Sequence, residues 1–132
     1  MTMERRNWSY AALTAAIAVG TIALTPAAHA AGALAAGQCG GSASVVDRPN
    51  LDDARRAALN ACQGSGAKEC KVVATVRKGC FVMVIDAPKA CEINKFAVAE
   101  TIVVAANTAI AQCYTDGGTQ CMLRQAACDT RG

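Results

Sequence analysis

The chain has 132 residues, eight cysteines, and thirteen basic against ten acidic side chains, a formal charge of +3. So weak a positive balance gives no electrostatic case for nucleic acid or an anionic membrane as partner. The only histidine, His29, and the only tryptophan, Trp8, stand near the N-terminus, so catalysis resting on imidazole has no residue to use beyond that point.

Arg5 and Arg6 open the chain with positive charge, partly offset by Glu4. An apolar stretch of fifteen residues follows from Tyr10 to Leu24, then Pro26 and the small-residue segment Ala28-His29-Ala30. This order predicts a secretory signal peptide over residues 1–30, with Ala35 as the alternative cleavage point. The stretch is short against the roughly 20 residues that a membrane span requires. Cleavage after Ala30 leaves 102 residues without histidine. It removes two basic residues and one acidic residue, lowering the charge to +2. The expected localisation is periplasmic or secreted.

Residues 31–41 are rich in alanine and glycine and read as a flexible lead-in. A single folded domain is expected over residues 42–128, with residues 129–132 as a frayed end. Within it Asn50 is placed to cap a helix whose first turn carries Asp52 and Asp53. Leu51, Ala54, Ala57, Ala58, Ala61 and Cys62 share one face of that helix, with polar residues opposite. Gly64 and Gly66 end it. Cys70 to Val76 and Cys80 to Ile85 read as strands joined by a hairpin at Arg77-Lys78-Gly79. Pro88, in the Asp86–Lys89 connection, marks the join to a second half. There Thr101 caps a second helix, Ile102 to Cys113. Gly117 and Gly118 form its terminating loop, and Cys121 to Ala127 makes a further strand. Ser44 to Asp47 and Ile93 to Val98, just before the two helices, are additional strand candidates.

The second half restates the first. Cys39, Cys62, Cys70 and Cys80 recur in order as Cys91, Cys113, Cys121 and Cys128, at nearly constant spacing. The chain therefore reads as an internal duplication, repeat one at about 39–86 and repeat two at about 91–128. The expected fold class is α+β. It has two β-α-β units, their helices packed on one small mixed or antiparallel sheet, stapled by disulfides.

Ala57-Ala58-Leu59-x-x-Cys62, Cys70-x-Val72-Val73 and Cys80 resemble the repeat of the domain of unknown function 4189 family, a group of small exported bacterial proteins. Ala109-Ile110-x-x-Cys113 with Cys121 and Cys128 resembles its second copy, so the resemblance covers roughly Ser42 to Cys128. The chain departs from the pattern in lacking aromatic-glycine strand segments before the helices and in carrying the extra pair Cys39 and Cys91. The resemblance implies an exported α+β domain without an established activity. Because some members look like secreted effectors or partners of secreted enzymes, it also implies function by binding.

No residue pattern makes a convincing reaction centre, so no catalytic, metal or cofactor residues are assigned and no cofactor is expected. No Cys-x-x-Cys pair exists for zinc or for dithiol chemistry. Asp86, Glu92, Glu100 and Asp116 read as surface charges rather than an acid–base pair. Gly64-Ser65-Gly66 and Gly117-Gly118 lack the context of a phosphate cradle. The sequence thus favours a non-enzymatic module that binds or inhibits a protein partner, with Arg77 and Lys78 as the contact. The alternatives are a structural or stress-related envelope protein or, less favoured, a carboxylate-dependent hydrolase. No nucleic acid or, after signal cleavage, membrane is expected as a partner, and the oligomeric state is left open.

All eight cysteines are expected in disulfides. Cys62–Cys70 and Cys113–Cys121 follow from a helix end and a strand start that meet across a glycine turn. For the other four, equivalence of the halves favours Cys39–Cys80 with Cys91–Cys128. The rival arrangement is Cys80–Cys128 with Cys39–Cys91.

Overall fold

A computed structural model describes residues 30–130. The predicted signal peptide falls, but for Ala30, outside the described residues. Six strands and two α-helices follow in the order β1 (Ala31–Ala36), β2 (Ser42–Arg48), α1 (Leu51–Gly64), β3 (Lys71–Val76), β4 (Gly79–Asp86), β5 (Asn94–Ala99), α2 (Ile102–Thr115) and β6 (Cys121–Asp129). The class is α+β, as expected, but the strands make two antiparallel three-stranded sheets rather than one. Their orders are β2-β1-β3 and β5-β4-β6.

The duplication is real and its boundary lies elsewhere. Each repeat is β-β-α-β, so β4 opens repeat two instead of closing repeat one, and the join is Arg77-Lys78 rather than Pro88. What reads as a hairpin at Arg77-Lys78-Gly79 is the crossing from one sheet to the other. Gly79 makes that turn at φ 135°, where a Cβ would stand 2.9 Å from the Ala99 carbonyl oxygen. The register repeats too. The β1–β3 pairing slips between Leu34 and Ala35, and the β4–β6 pairing slips at the equivalent place, between Met83 and Val84.

Three apolar layers hold four layers of secondary structure. Under α1, Ala54, Ala58 and Cys62 pack on Ala31, Ala33 and Ala35 of β1. Under α2, Ala105, Ala109 and Cys113 pack on Val82 and Val84 of β4. Between the sheets lie Leu34 and Ala36 of β1, Val76 of β3, and Phe81, Met83 and Ile85 of β4. The order is helix, sheet, sheet, helix, with both central strands covered on each face. That explains the unbroken apolar run Phe81 to Ile85, which a strand exposed on one side would interrupt with polar residues.

The flexible lead-in is therefore a misreading of residues 31–41. Ala31 to Ala36 is the fully buried central strand of the first sheet, followed by a short helical turn, Gln38–Gly40. Small residues suit this strand because α1 and the second sheet close in from opposite sides. Cleavage after Ala35 would remove five of its six residues. At the other end Asp129 is the buried last residue of β6, not part of a frayed tail, and its Oδ2 accepts from the Asp47 backbone N–H at 3.0 Å, tying β6 to β2.

Both helix caps form as the sequence predicts. Asn50 Oδ1 accepts from Asp53 N at 2.8 Å, and Thr101 Oγ1 accepts from Val104 N at 3.3 Å. Both helices run two residues past the cysteines at which the expected apolar faces end, reaching Gly64 and Thr115. No helix among the described residues is long and apolar enough to cross a membrane.

Every cysteine is paired. The local bridges Cys62–Cys70 and Cys113–Cys121 are present. The favoured pairing of the remaining four is overturned, and the bonds are Cys39–Cys91 and Cys80–Cys128. Since β4 belongs to repeat two, Cys80 has no cysteine counterpart in repeat one. It stands opposite Cys128 in the β4–β6 ladder and bonds to it there. Cys39 and Cys91 are counterparts and bond to each other, joining the two repeats at matching positions.

Candidate functional site

The fold places the predicted contact residues at the end of the molecule where the chain passes between sheets. Arg77 and Lys78 are exposed on a two-residue link between β3 and β4. The link is braced from below, because Cys80 pairs with Ala99 of β5 on one side and with Cys128 of β6 on the other. Lys78, Gly79, Glu100 and Thr130 line a shallow hollow of about 360 Å³ beside it. Neither Arg77 nor Lys78 joins the three salt bridges found among the described residues.

Sequence reasoning missed the surface next to this link. The turn from β5 into α2 brings Val98, Ile102, Val103 and Val104 to solvent, 54, 37, 67 and 55 % exposed. The signal is visible in the duplication once the halves are aligned. Setting Cys113 on Cys62 and Thr101 on Asn50 matches Val98, Val103 and Val104 with Asp47, Asp52 and Asp53. In α1 those two helical acids sit at the positive end of the dipole and pair with Arg55 and Arg56 at 3.1 and 2.7 Å. The first turn of α2 has no acidic residue, so it forgoes the roughly 0.3–1 kcal/mol that each such charge contributes. Its exposed valines contribute little helix stability in exchange, since β-branched residues are weaker helix formers. Exposed valines thus stand at the start of α2 where its twin carries paired acids.

The four carboxylates weighed as chemistry do not behave alike. Glu92 and Glu100 are exposed, and Asp116 forms an ion pair with Lys95. Asp86, expected at the surface, is fully buried at the end of β4. Its Oδ1 accepts from Thr119 N at 2.9 Å and Gln120 N at 2.7 Å, which fixes the loop leading into β6. Asp86 and Glu100 lie at opposite ends of the β4–β5 pair, given the register Ile85 with Asn94 and Cys80 with Ala99. The glycine loops end helices, as read: Ser65 N donates to Ala61 O and Cys62 O, and Gly118 N donates to Cys113 O.

A second concavity, of about 450 Å³, opens between the edges of β3 and β5 and includes Gln38, Glu69, Lys71, Asn94 and Phe96. Gln38 Nε2 donates to Glu69 Oε2 at 2.5 Å across its rim, so part of its polar lining is already satisfied internally.

The family model described as Domain of unknown function (DUF4189) matches residues 31–128. The match begins at the first residue of β1, so it takes in the strand misread as a lead-in. Neither the curated proteins nor the solved structures contain a match.

Proposed function

The chain belongs to the family of the domain of unknown function DUF4189, and from that premise we propose that it is a non-enzymatic, exported module that binds a protein partner in the periplasm or outside the cell. Four disulfides in a domain of this size fit an oxidising compartment. The contact surface is the apolar start of α2 together with Arg77 and Lys78, with Glu100 exposed between them, and it suits a partner that presents apolar side chains among charges of both signs.

The observation that carries this reading is the contrast between two helices built on one plan. Where α1 places Asp52 and Asp53 in salt bridges, α2 exposes Val103 and Val104. Contiguous exposed apolar patches on soluble proteins mark interaction sites. The braced link and the stapled strands beneath hold this surface in one shape, which limits the ordering cost of binding.

A paired capture experiment tests it. The oxidised protein and its Val103→Asp/Val104→Asp variant are each used as bait in periplasmic extract. One protein retained in stoichiometric amount by the parent and lost by a variant at least as stable supports the surface assignment. Retention of the same protein by both baits removes it. A blank from both favours an envelope protein without a specific partner.

A further inference from the structure

Asp86 uses only half of its carboxylate. Oδ1 holds the backbone N–H groups of Thr119 and Gln120, while Oδ2 is buried and makes no hydrogen bond among the described residues. Anchoring the loop accounts for the first oxygen and leaves the second buried without a partner among the described residues, which is costly for a carboxylate. Beside it stands the Cys113–Cys121 bridge. A carboxylate oxygen of Asp86 and the two sulfurs all lie within 4.8 Å of one another. We propose that this bridge, when opened by a dithiol reductant, becomes a divalent-metal site in which Asp86, Cys113 and Cys121 bind Zn²⁺.

The donor set has the right chemistry. Two thiolates and one carboxylate are ligands that Zn²⁺ accepts, and a tetrahedral ion with three protein ligands keeps one position for water. The reductant delivers two electrons and two protons to the S–S bond, and its own two thiols close to a disulfide. The two cysteine thiols then release their protons as the ion binds. Cys113 is buried and Cys121 only half-buried, so the ion enters from the Cys121 side. The two amides on Oδ1 hold the Asp86 side chain beside the bridge.

Repeat one supplies the control within the same molecule. Cys62–Cys70 has the same eight-residue separation and the same 6.1 Å Cα–Cα distance as Cys113–Cys121. When β1 is laid on β4 with Leu34 matched to Met83, the place of Asp86 is taken by Gly37. A Cβ there would already stand 2.7 Å from the Lys68 carbonyl oxygen, so repeat one has no room for a carboxylate. Gly118, in turn, lies where a Cβ would come within 2.5 Å of Cys121 Sγ and 2.7 Å of Cys113 Sγ. Its counterpart in repeat one is Ala67. Repeat two has therefore exchanged a glycine for the acid at one contact and carries a glycine at the other.

The test treats the oxidised protein with a limiting dithiol reductant, removes the reductant by gel filtration and adds Zn²⁺ alone. Native mass spectrometry then counts metal on the species reduced by two electrons, and alkylation maps the thiols that the metal protects. We expect one Zn²⁺ per such chain, protection of Cys113 and Cys121, and affinity lowered at least tenfold by Asp86→Asn, which keeps an acceptor for the two amides. Cys113→Ser/Cys121→Ser, treated in the same way, should retain no metal. Absence of bound Zn²⁺, equal protection of Cys62 and Cys70, unchanged affinity in Asp86→Asn, or metal on the serine variant would each overturn the proposal.

Discussion

The two repeats share a plan and differ in what they place on it. Repeat one builds its helix–sheet layer almost wholly from alanine: Ala31, Ala33, Ala35, Ala54 and Ala58. Repeat two uses Val82, Val84 and Ile93 with Ala105 and Ala109. Outside, the order is reversed in polarity, charged on α1 and apolar at the start of α2. Between the sheets the halves are complementary rather than equal. Phe81 fills the space over Gly32, its counterpart in β1, and a Cβ on Gly32 would lie 3.2 Å from Phe81 Cε1. Duplication supplied the frame, and divergence then had to be matched across the shared middle layer.

Breaking that match should have the largest effect. Phe81→Ala removes a fully buried ring from between the sheets and should cost about 3–5 kcal/mol in denaturant unfolding. Gly32→Ala, which crowds the same contact, should cost about 1–3 kcal/mol. Equal, small losses for the two would mean that the middle layer is looser than the packing implies.

The bridges are next. Cys39–Cys91 closes a separation of 52 residues between repeats, whereas Cys62–Cys70 closes eight within one. On the chain-entropy model the Cys39→Ser/Cys91→Ser pair should cost about 4 kcal/mol and Cys62→Ser/Cys70→Ser about 2.5 kcal/mol. The reverse order, read in oxidised proteins with the other bridges intact, would show that native-state packing dominates loop closure here.

Smaller effects sharpen the contrast between the helices. Asn50→Ala should cost about 1 kcal/mol by removing the bond to Asp53 N. Val103→Asp should stabilise the fold by about 0.3–1 kcal/mol, because it gives α2 the first-turn charge that α1 has. A thermal scan at low salt reads both. If Val103→Asp lowers the melting temperature, the valine has a packing role, and the reading of α2 as a surface kept apolar for contact loses its main support.

The parts of this fold that are legible in the sequence are those fixed over short distances. The helix caps at Asn50 and Thr101, the faces of α1, and the bridges Cys62–Cys70 and Cys113–Cys121 all depend on neighbours within about a dozen residues. The missing parts depend on what lies across space. Ala31 to Ala36 has the composition of a linker, and only the layers packed on both its faces make it a central strand. Tertiary packing overrode local propensity there. The same omission moved the repeat boundary, set Cys80 in the wrong half, and led to the wrong pairing of four cysteines. At the candidate surface, Arg77 and Lys78 are readable as an exposed basic pair. The exposure of the α2 valines is not, because nothing in the local pattern says which side of an apolar helix faces water.

The central claim is that two β-β-α-β repeats face each other and are joined at matching positions by Cys39–Cys91. Tryptic mapping without reduction tests it directly. Cleavage at Arg55, Lys68, Lys78, Lys89, Lys95 and Arg124 puts Cys39, Cys62, Cys80, Cys91 and Cys128 on separate peptides. The predicted result is a Cys39 peptide linked to the Cys91 peptide, and a Cys80 peptide linked to the Cys128 peptide. A link from Cys39 to Cys80 would contradict it, because that bond assigns β4 to the first repeat.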